Sequence, residues 1–151
     1  MQAADIIESV REHFSGLNLI NTWGEQSFFY NPDNLLKRGM YFLTIKEKDG
    51  ENDAASHLNR NGSFRINFGL SKESFCSLFN EIPGRPGKGG IIEGVYNFTQ
   101  PDTLMPHPVY GWMCWVCILN PSAESWKSLM PLLSESYELV VKKYSKRKRL
   151  L

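Results

Sequence analysis

The spacing of apolar positions changes along the chain, and each change marks an element. Ala3, Ile6, Ile7, Val10 and Phe14 recur every three to four residues, which predicts an amphipathic helix over residues 2–14. Ser15-Gly16 stops it, since glycine takes the left-handed conformation common at helix ends. Residues 17–23 then predict a first strand or extended lead-in, Gly24-Glu25 a turn, and residues 26–30 an aromatic strand. The turn formers Asn31-Pro32-Asp33-Asn34 follow. Residues 39–47 predict the next strand, with Tyr41, Leu43 and Ile45 on one face and Met40, Phe42, Thr44 and Lys46 on the other. Residues 48–62 are rich in Asp, Asn and Gly and predict a long loop with one helical turn around 53–58.

The alternation is cleanest over residues 63–70. Phe64, Ile66, Phe68 and Leu70 alternate with Arg65, Asn67 and Gly69, the pattern of an antiparallel strand with one buried face. Ser71 is placed to cap a helix carrying Phe75, Leu78 and Phe79 on its inner side. A proline- and glycine-rich bend at 83–90 ends that helix, and residues 91–98 predict a short edge strand. Residues 110–119 predict the last strand. Ser122 then caps a long helix reaching about Lys146, with Trp126, Leu129, Leu133, Tyr137, Val140 and Tyr144 along its apolar stripe. Pro131 lies inside that pattern and is expected to kink or split it. Consecutive strands with segregated helices predict an α+β fold: two layers, an antiparallel sheet of about five strands, and helices packed on one face.

Composition narrows the class. A chain of 151 residues that is 42% hydrophobic and 22% charged fits one soluble domain, expected over 1–146 with a basic C-terminal tail at 147–151. No apolar run is long enough to span a membrane, so no membrane partner is expected. The N-terminus carries acids early and lacks the basic start and apolar block of a signal peptide. Three cysteines, an odd number, suit a reducing cytoplasm. Six of the 17 basic residues fall at 142–149, leaving 11 basic against 16 acidic residues in the body, a formal charge of −5. Only the tail has the charge of a nucleic-acid-binding surface.

The last strand and helix carry a resemblance. WMCWVCIL followed by SWKSLMPLLSESYELVVKKY, with its run Ser136, Tyr137, Glu138, Leu139 and Val140, resembles the C-terminal half of the MmcQ/YjbR-like proteins. The block MPHPVYGWM-W-C-LNPS, with YF-TIK, FR-N-G and W-G upstream, is similar to a bacterial family of unknown function and spans about Trp23 to Tyr144. The resemblance implies the same α+β fold and no particular reaction. The wider group has been suggested to bind DNA, which the acidic body does not favour.

Candidate chemistry concentrates in residues 104–121. His107 stands between Pro106 and Pro108, which restrict the backbone and hold the imidazole in a stiff loop. It is either a ligand contact or general base, with Asp102 or Trp112 beside it, or a loop histidine bonded to backbone carbonyls. Arg65 and Asn67, with Thr44 and Lys46 across the next strand, predict an open polar face with basic spots, bordered by Trp112 or Trp115. The alternative is an ordinary solvated face. Cys114 and Cys117 form C-x-x-C, but an offset of three on a strand sends them to opposite faces, as packing residues. Asp53 and His57 share a helical face only if their loop holds a turn. No metal-ligand motif such as H-E-x-x-H occurs, so neither metal nor cofactor is expected. GRPGKGG lacks phosphate-loop spacing.

The sequence therefore predicts a cytoplasmic binding module. Its pocket is expected near His107, lined by Trp112, Arg65, Asn67 and Trp23, for a small molecule or anion. The alternatives are a nucleic-acid-binding protein using the basic tail and sheet face, and a small hydrolase or isomerase with His107 as base. The sequence specifies no oligomeric state.

Overall fold

The computed structural model describes all 151 residues. In chain order the elements are α1 (Ala3–His13), β1 (Leu17–Thr22), β2 (Glu25–Tyr30), β3 (Met40–Lys46), β4 (Arg65–Gly69), α2 (Lys72–Phe79), β5 (Met105–Pro106), β6 (Trp115–Leu119), α3 (Ala123–Ser128) and α4 (Met130–Arg149). The strands form one open antiparallel sheet of six, ordered β1-β2-β3-β4-β6-β5.

Local chemistry accounts for most boundaries. Ser71 Oγ accepts from Ser74 N at 3.1 Å and opens α2; Ser122 Oγ accepts from Ser125 N at 3.1 Å and opens α3. Pro131 splits the C-terminal helix. α3 ends at Ser128, and Pro131 falls in the first turn of α4, where a missing N–H leaves no bond unmade. The β1–β2 turn is Trp23-Gly24, with φ of 55° and 77°, the two-residue mirror-image turn whose twist matches a hairpin.

Three expectations are corrected. The strand predicted at 110–119 begins only at Trp115, because Gly111–Met113 form a 3-10 turn closed by Cys114 N donating to Gly111 O at 3.0 Å. The edge strand is not 91–98 but Met105–Pro106, where Pro106 is tolerated because its missing N–H faces no further strand. The faces of β3 also differ. Phe28 pairs with Leu43 but Phe29 pairs with Tyr41, so Phe42 is an inserted bulge residue. The alternation therefore changes phase. Phe42 joins Leu43 and Ile45 in the core, and Tyr41 turns to the side of Thr44 and Lys46.

The main core brings residues of all four helices together with strand residues: Ile6 and Val10, Phe75, Trp126, and Leu133 and Val140 cluster with Phe42, Ile45, Ile66, Phe68, Val116 and Ile118. Trp126 Nε1 donates to Ser9 Oγ at 2.8 Å, joining α3 to α1. Tyr137 stacks edge-on against Phe42 and Tyr30. A smaller cluster of Ile92, Phe98, Met105 and Cys117 packs the 80–104 segment against the end of the sheet. Cys114 lies in the large cluster and Cys117 in the small one, so the two thiols do face apart. Burial pushes the Cys117 thiol up to about 12.

Gly39 carries a tight crossing. Its φ is +106°, and a Cβ there would lie 2.5 Å from Tyr30 O and 2.7 Å from Asn31 Cβ. Gly39→Ala is expected to cost about 3 kcal/mol and lower Tm by roughly 6–12 °C, because backbone must move to admit the methyl. A thermal melt with unchanged Tm would contradict that crossing.

Candidate functional site

The strand side chains that turn away from the main core build the floor of a cavity. Antiparallel register sets Lys46 opposite Arg65 and Thr44 opposite Asn67, then Asn67 opposite Cys117 and Gly69 opposite Trp115. Gly69 leaves room for the indole: a Cβ there would meet Trp115 Nε1 at 3.2 Å.

Arg65 is the hub. Its side chain is fully buried. Nε donates to Asn67 Oδ1 at 2.7 Å, Nη1 donates to Asp53 Oδ1 at 3.0 Å and to Ser56 Oγ at 2.9 Å, and Nη2 donates to Asp53 Oδ2. The planar guanidinium thus grips the carboxylate with two parallel bonds, a geometry lysine cannot reproduce. Asn67 Nδ2 extends the network by donating to Thr44 Oγ1 at 2.9 Å.

Asp53 and Ser56 arrive from the loop between β3 and β4, which its own hydrogen bonds hold in shape. Gly50 and Asp53 exchange backbone bonds, Asp49 Oδ1 accepts from Leu58 N at 2.7 Å, and Arg60 Nη2 donates to Ser56 O and Thr99 O. Burial pushes the Asp53 carboxyl up, but the hydrogen bonds and charge of Arg65 outweigh it and hold the group below the usual carboxylate range.

His107 is buried at 3% exposure. Pro108 has no N–H, and the chain curls beyond it so that the next two amides converge on the ring. Val109 N and Tyr110 N donate to Nδ1 at 3.1 and 3.0 Å. The ring is bonded to backbone amides, not to the carbonyls of the loop-histidine alternative. A nitrogen that accepts two N–H bonds carries no proton, so the neutral ring holds its proton on Nε2. Nε2 lies 3.2 Å from Arg65 Nη2 and 4.0 Å from Asp53 Oδ2. Desolvation, with Arg65 and Lys46 opposing a further charge, lowers the imidazole pKa to about 3 despite Asp53. His107 is therefore a neutral hydrogen-bond donor. It has no free lone pair to act as a base.

Lys46 Nζ pairs with Glu25 Oε2 at 3.3 Å beside this floor. Above it, Tyr41, Tyr110, Met113 and Trp115 form walls around a cavity of about 480 Å³. Tyr41, Tyr110 and Met113 are each about half exposed, so the mouth is apolar over a polar, charge-paired floor.

Among the residues singled out from sequence, His107, Arg65 and Asn67 line this one cavity. Trp112 does not: it lies under the Arg85 guanidinium, 4.6 Å from its ring centroid. Trp23 is at the β1–β2 hairpin tip, 94% exposed, beside a smaller hollow that shares Glu25, Tyr41 and Lys46 with the cavity. The open basic face expected at Arg65 and Asn67 is instead covered, because Asp53 and the 107–115 segment close over it and neutralise the arginine. Asp102 is not near the histidine; its Oδ1 accepts from Ser122 N at 2.8 Å ahead of α3. Asp53 was a candidate only alongside His57, and His57 is exposed away from the network. Tyr41 and Met113 gave no sequence signal, since the bulge and the 3-10 turn orient them.

A family model matches residues 1–149. The chain belongs to the family of unknown function DUF6194. No curated protein matches it significantly. Among solved structures, the DUF6194 chain is similar to a protein from Pseudomonas syringae, at 16% identity and a TM-score of 0.48, covering 93% of this chain and 99% of the other. No helix is long and apolar enough to cross a membrane.

Proposed function

We propose that this chain is a bacterial, cytoplasmic small-molecule-binding module, a single MmcQ/YjbR-like domain over 1–146 whose helices layer on one face of the sheet. The opposite face then serves as the ligand platform. The observation that carries this reading is the cavity of about 480 Å³ over the Arg65–Asp53–His107 network. Its size falls in the range of about 300–1,000 Å³ used for small ligands, and apolar walls over a few convergent polar groups are the usual composition of such sites. A buried, fully braced arginine also makes the floor rigid before any ligand arrives, which reduces the ordering cost of binding.

The alternatives have less support. Nucleic-acid binding through the sheet face needs free cations, and Arg65 and Lys46 are both paired with carboxylates. The tail cations lie in the last turns of α4, where Lys148 pairs with Asp33 at 2.9 Å. A hydrolase or isomerase using His107 as base needs the lone pair that Val109 N and Tyr110 N occupy.

A metabolite screen by thermal shift tests the proposal. A true ligand at about 100 times its Kd is expected to stabilise by about 2.7 kcal/mol and raise Tm by roughly 5–10 °C. Tyr110→Ala, at the half-exposed mouth, is expected to diminish that shift while leaving the unliganded Tm near its original value. If no compound gives a saturable shift, or if Tyr110→Ala leaves the shift intact, the pocket reading fails.

A further inference from the structure

The chemistry of the pocket floor narrows the ligand class, resting on the binding reading above. His107 Nε2 bears the ring's proton, because both amides donate to Nδ1. Arg65 Nη2 has two N–H groups. One goes to Asp53 Oδ2, and the other points at His107 Nε2, 3.2 Å away. Two donors therefore face each other with no acceptor between them. Asp53 Oδ2, at 4.0 Å from Nε2, is too far to receive the imidazole N–H. A buried donor without an acceptor is costly, and a bound acceptor oxygen removes that cost.

The surrounding charges decide what kind of oxygen fits. Arg65 is neutralised by Asp53 and Lys46 by Glu25, so the lining holds no spare positive charge. An anionic oxygen at His107 Nε2 would sit close to the Asp53 carboxylate with nothing left to balance it. An uncharged carbonyl oxygen can accept the His107 Nε2–H and brings no charge. The walls select for shape. The Tyr110 ring centroid lies 5.1 Å from that of His107, and Tyr41, Met113 and Trp115 complete an apolar rim suited to a flat ring.

We infer that the pocket takes a planar, uncharged molecule bearing a carbonyl, of the aromatic carboxamide or lactam class, whose oxygen accepts from His107 Nε2. The neutral imidazole then works as a polarising donor, a role that amide bonds to its other nitrogen enforce.

The test titrates the full chain with nicotinamide, 2-pyridone and nicotinate, following tryptophan fluorescence and calorimetry. The two neutral probes are expected to bind saturably and about tenfold or more tightly than nicotinate, which shares the ring but carries a carboxylate. In parallel, 15N spectra of the histidine ring are expected to show Nε2 protonated and Nδ1 bare, with the Nε2–H resonance moving when nicotinamide binds. Equal or tighter binding of nicotinate, a proton on Nδ1, or failure of both neutral probes overturns the inference. The binding reading then stands or falls separately on the metabolite screen, where a charged or carbonyl-free ligand would preserve it and an empty result would remove it.

Discussion

Arg65→Met is expected to destabilise the protein by about 4 kcal/mol, because it strands partners that were buried for its sake. The Asp53 carboxylate loses two bonds, and Asn67 Oδ1 and Ser56 Oγ lose one donor each. The methionine fills much of the volume, so the loss is electrostatic and not a cavity effect. At this chain length the change corresponds to a drop of roughly 8–16 °C in Tm. Arg65→Lys keeps the charge but cannot span a bidentate carboxylate, an amide oxygen and a hydroxyl together, so it is expected to recover less than half of the loss. Pairing Arg65→Met with Asp53→Asn removes the stranded charge and is expected to cost less than the two single changes added together. Urea denaturation of the parent and the four variants measures this. A loss under about 1 kcal/mol for Arg65→Met would mean the network does not hold the loop to the sheet.

Acid is expected to reveal His107. Its folded pKa, about 3, lies below the ordinary imidazole value of 6.5, so between these values the unfolded chain binds the proton and the native protein does not. A depressed folded pKa gives stability that is full above about 6.5 and is lost as pH falls toward 3. The slope approaches about 1.4 kcal/mol per pH unit, for a total on the order of 5 kcal/mol. The groups facing the ring account for the direction: Arg65 and Lys46 oppose a second positive charge, Asp53 favours it, and burial outweighs Asp53. Asp53 itself, also lowered, gives up its contribution only at more acidic pH, below the ordinary carboxylate range. His107→Gln is expected to flatten the dependence between pH 4 and 6.5 even if the variant is less stable throughout. Urea midpoints across that range decide the point; a variant as acid-sensitive as the parent would place the proton elsewhere.

Much of the fold was legible because its signals are local. Ser71 and Ser122 cap helices as their positions before apolar stripes predict, and Pro131 divides the last helix where a missing N–H must fall in a first turn. The alternation at 63–70 gave β4 its two faces correctly. The candidate site was legible only in part. The proline-held His107 and the polar positions Arg65 and Asn67 line the cavity; Trp112 and Trp23, named beside them, do not, and of the pair Trp112 or Trp115 left open by sequence it is Trp115 that does. Trp115, not Trp112, reaches the cavity, because the 3-10 turn at Gly111–Met113 rotates the chain before the strand begins.

From sequence alone came the helix periods, the caps, the strand alternation and the stiff approach to His107, since each depends on neighbours a few residues apart. Tertiary structure alone decided the rest. The bulge at Phe42 sends Tyr41 to the pocket, and the strand register lines Lys46 up with Arg65. A loop twelve residues upstream in the chain delivers Asp53 to the guanidinium. Those outcomes depend on which distant segments bury one another's charges and rings, a balance of desolvation against pairing that no local pattern records.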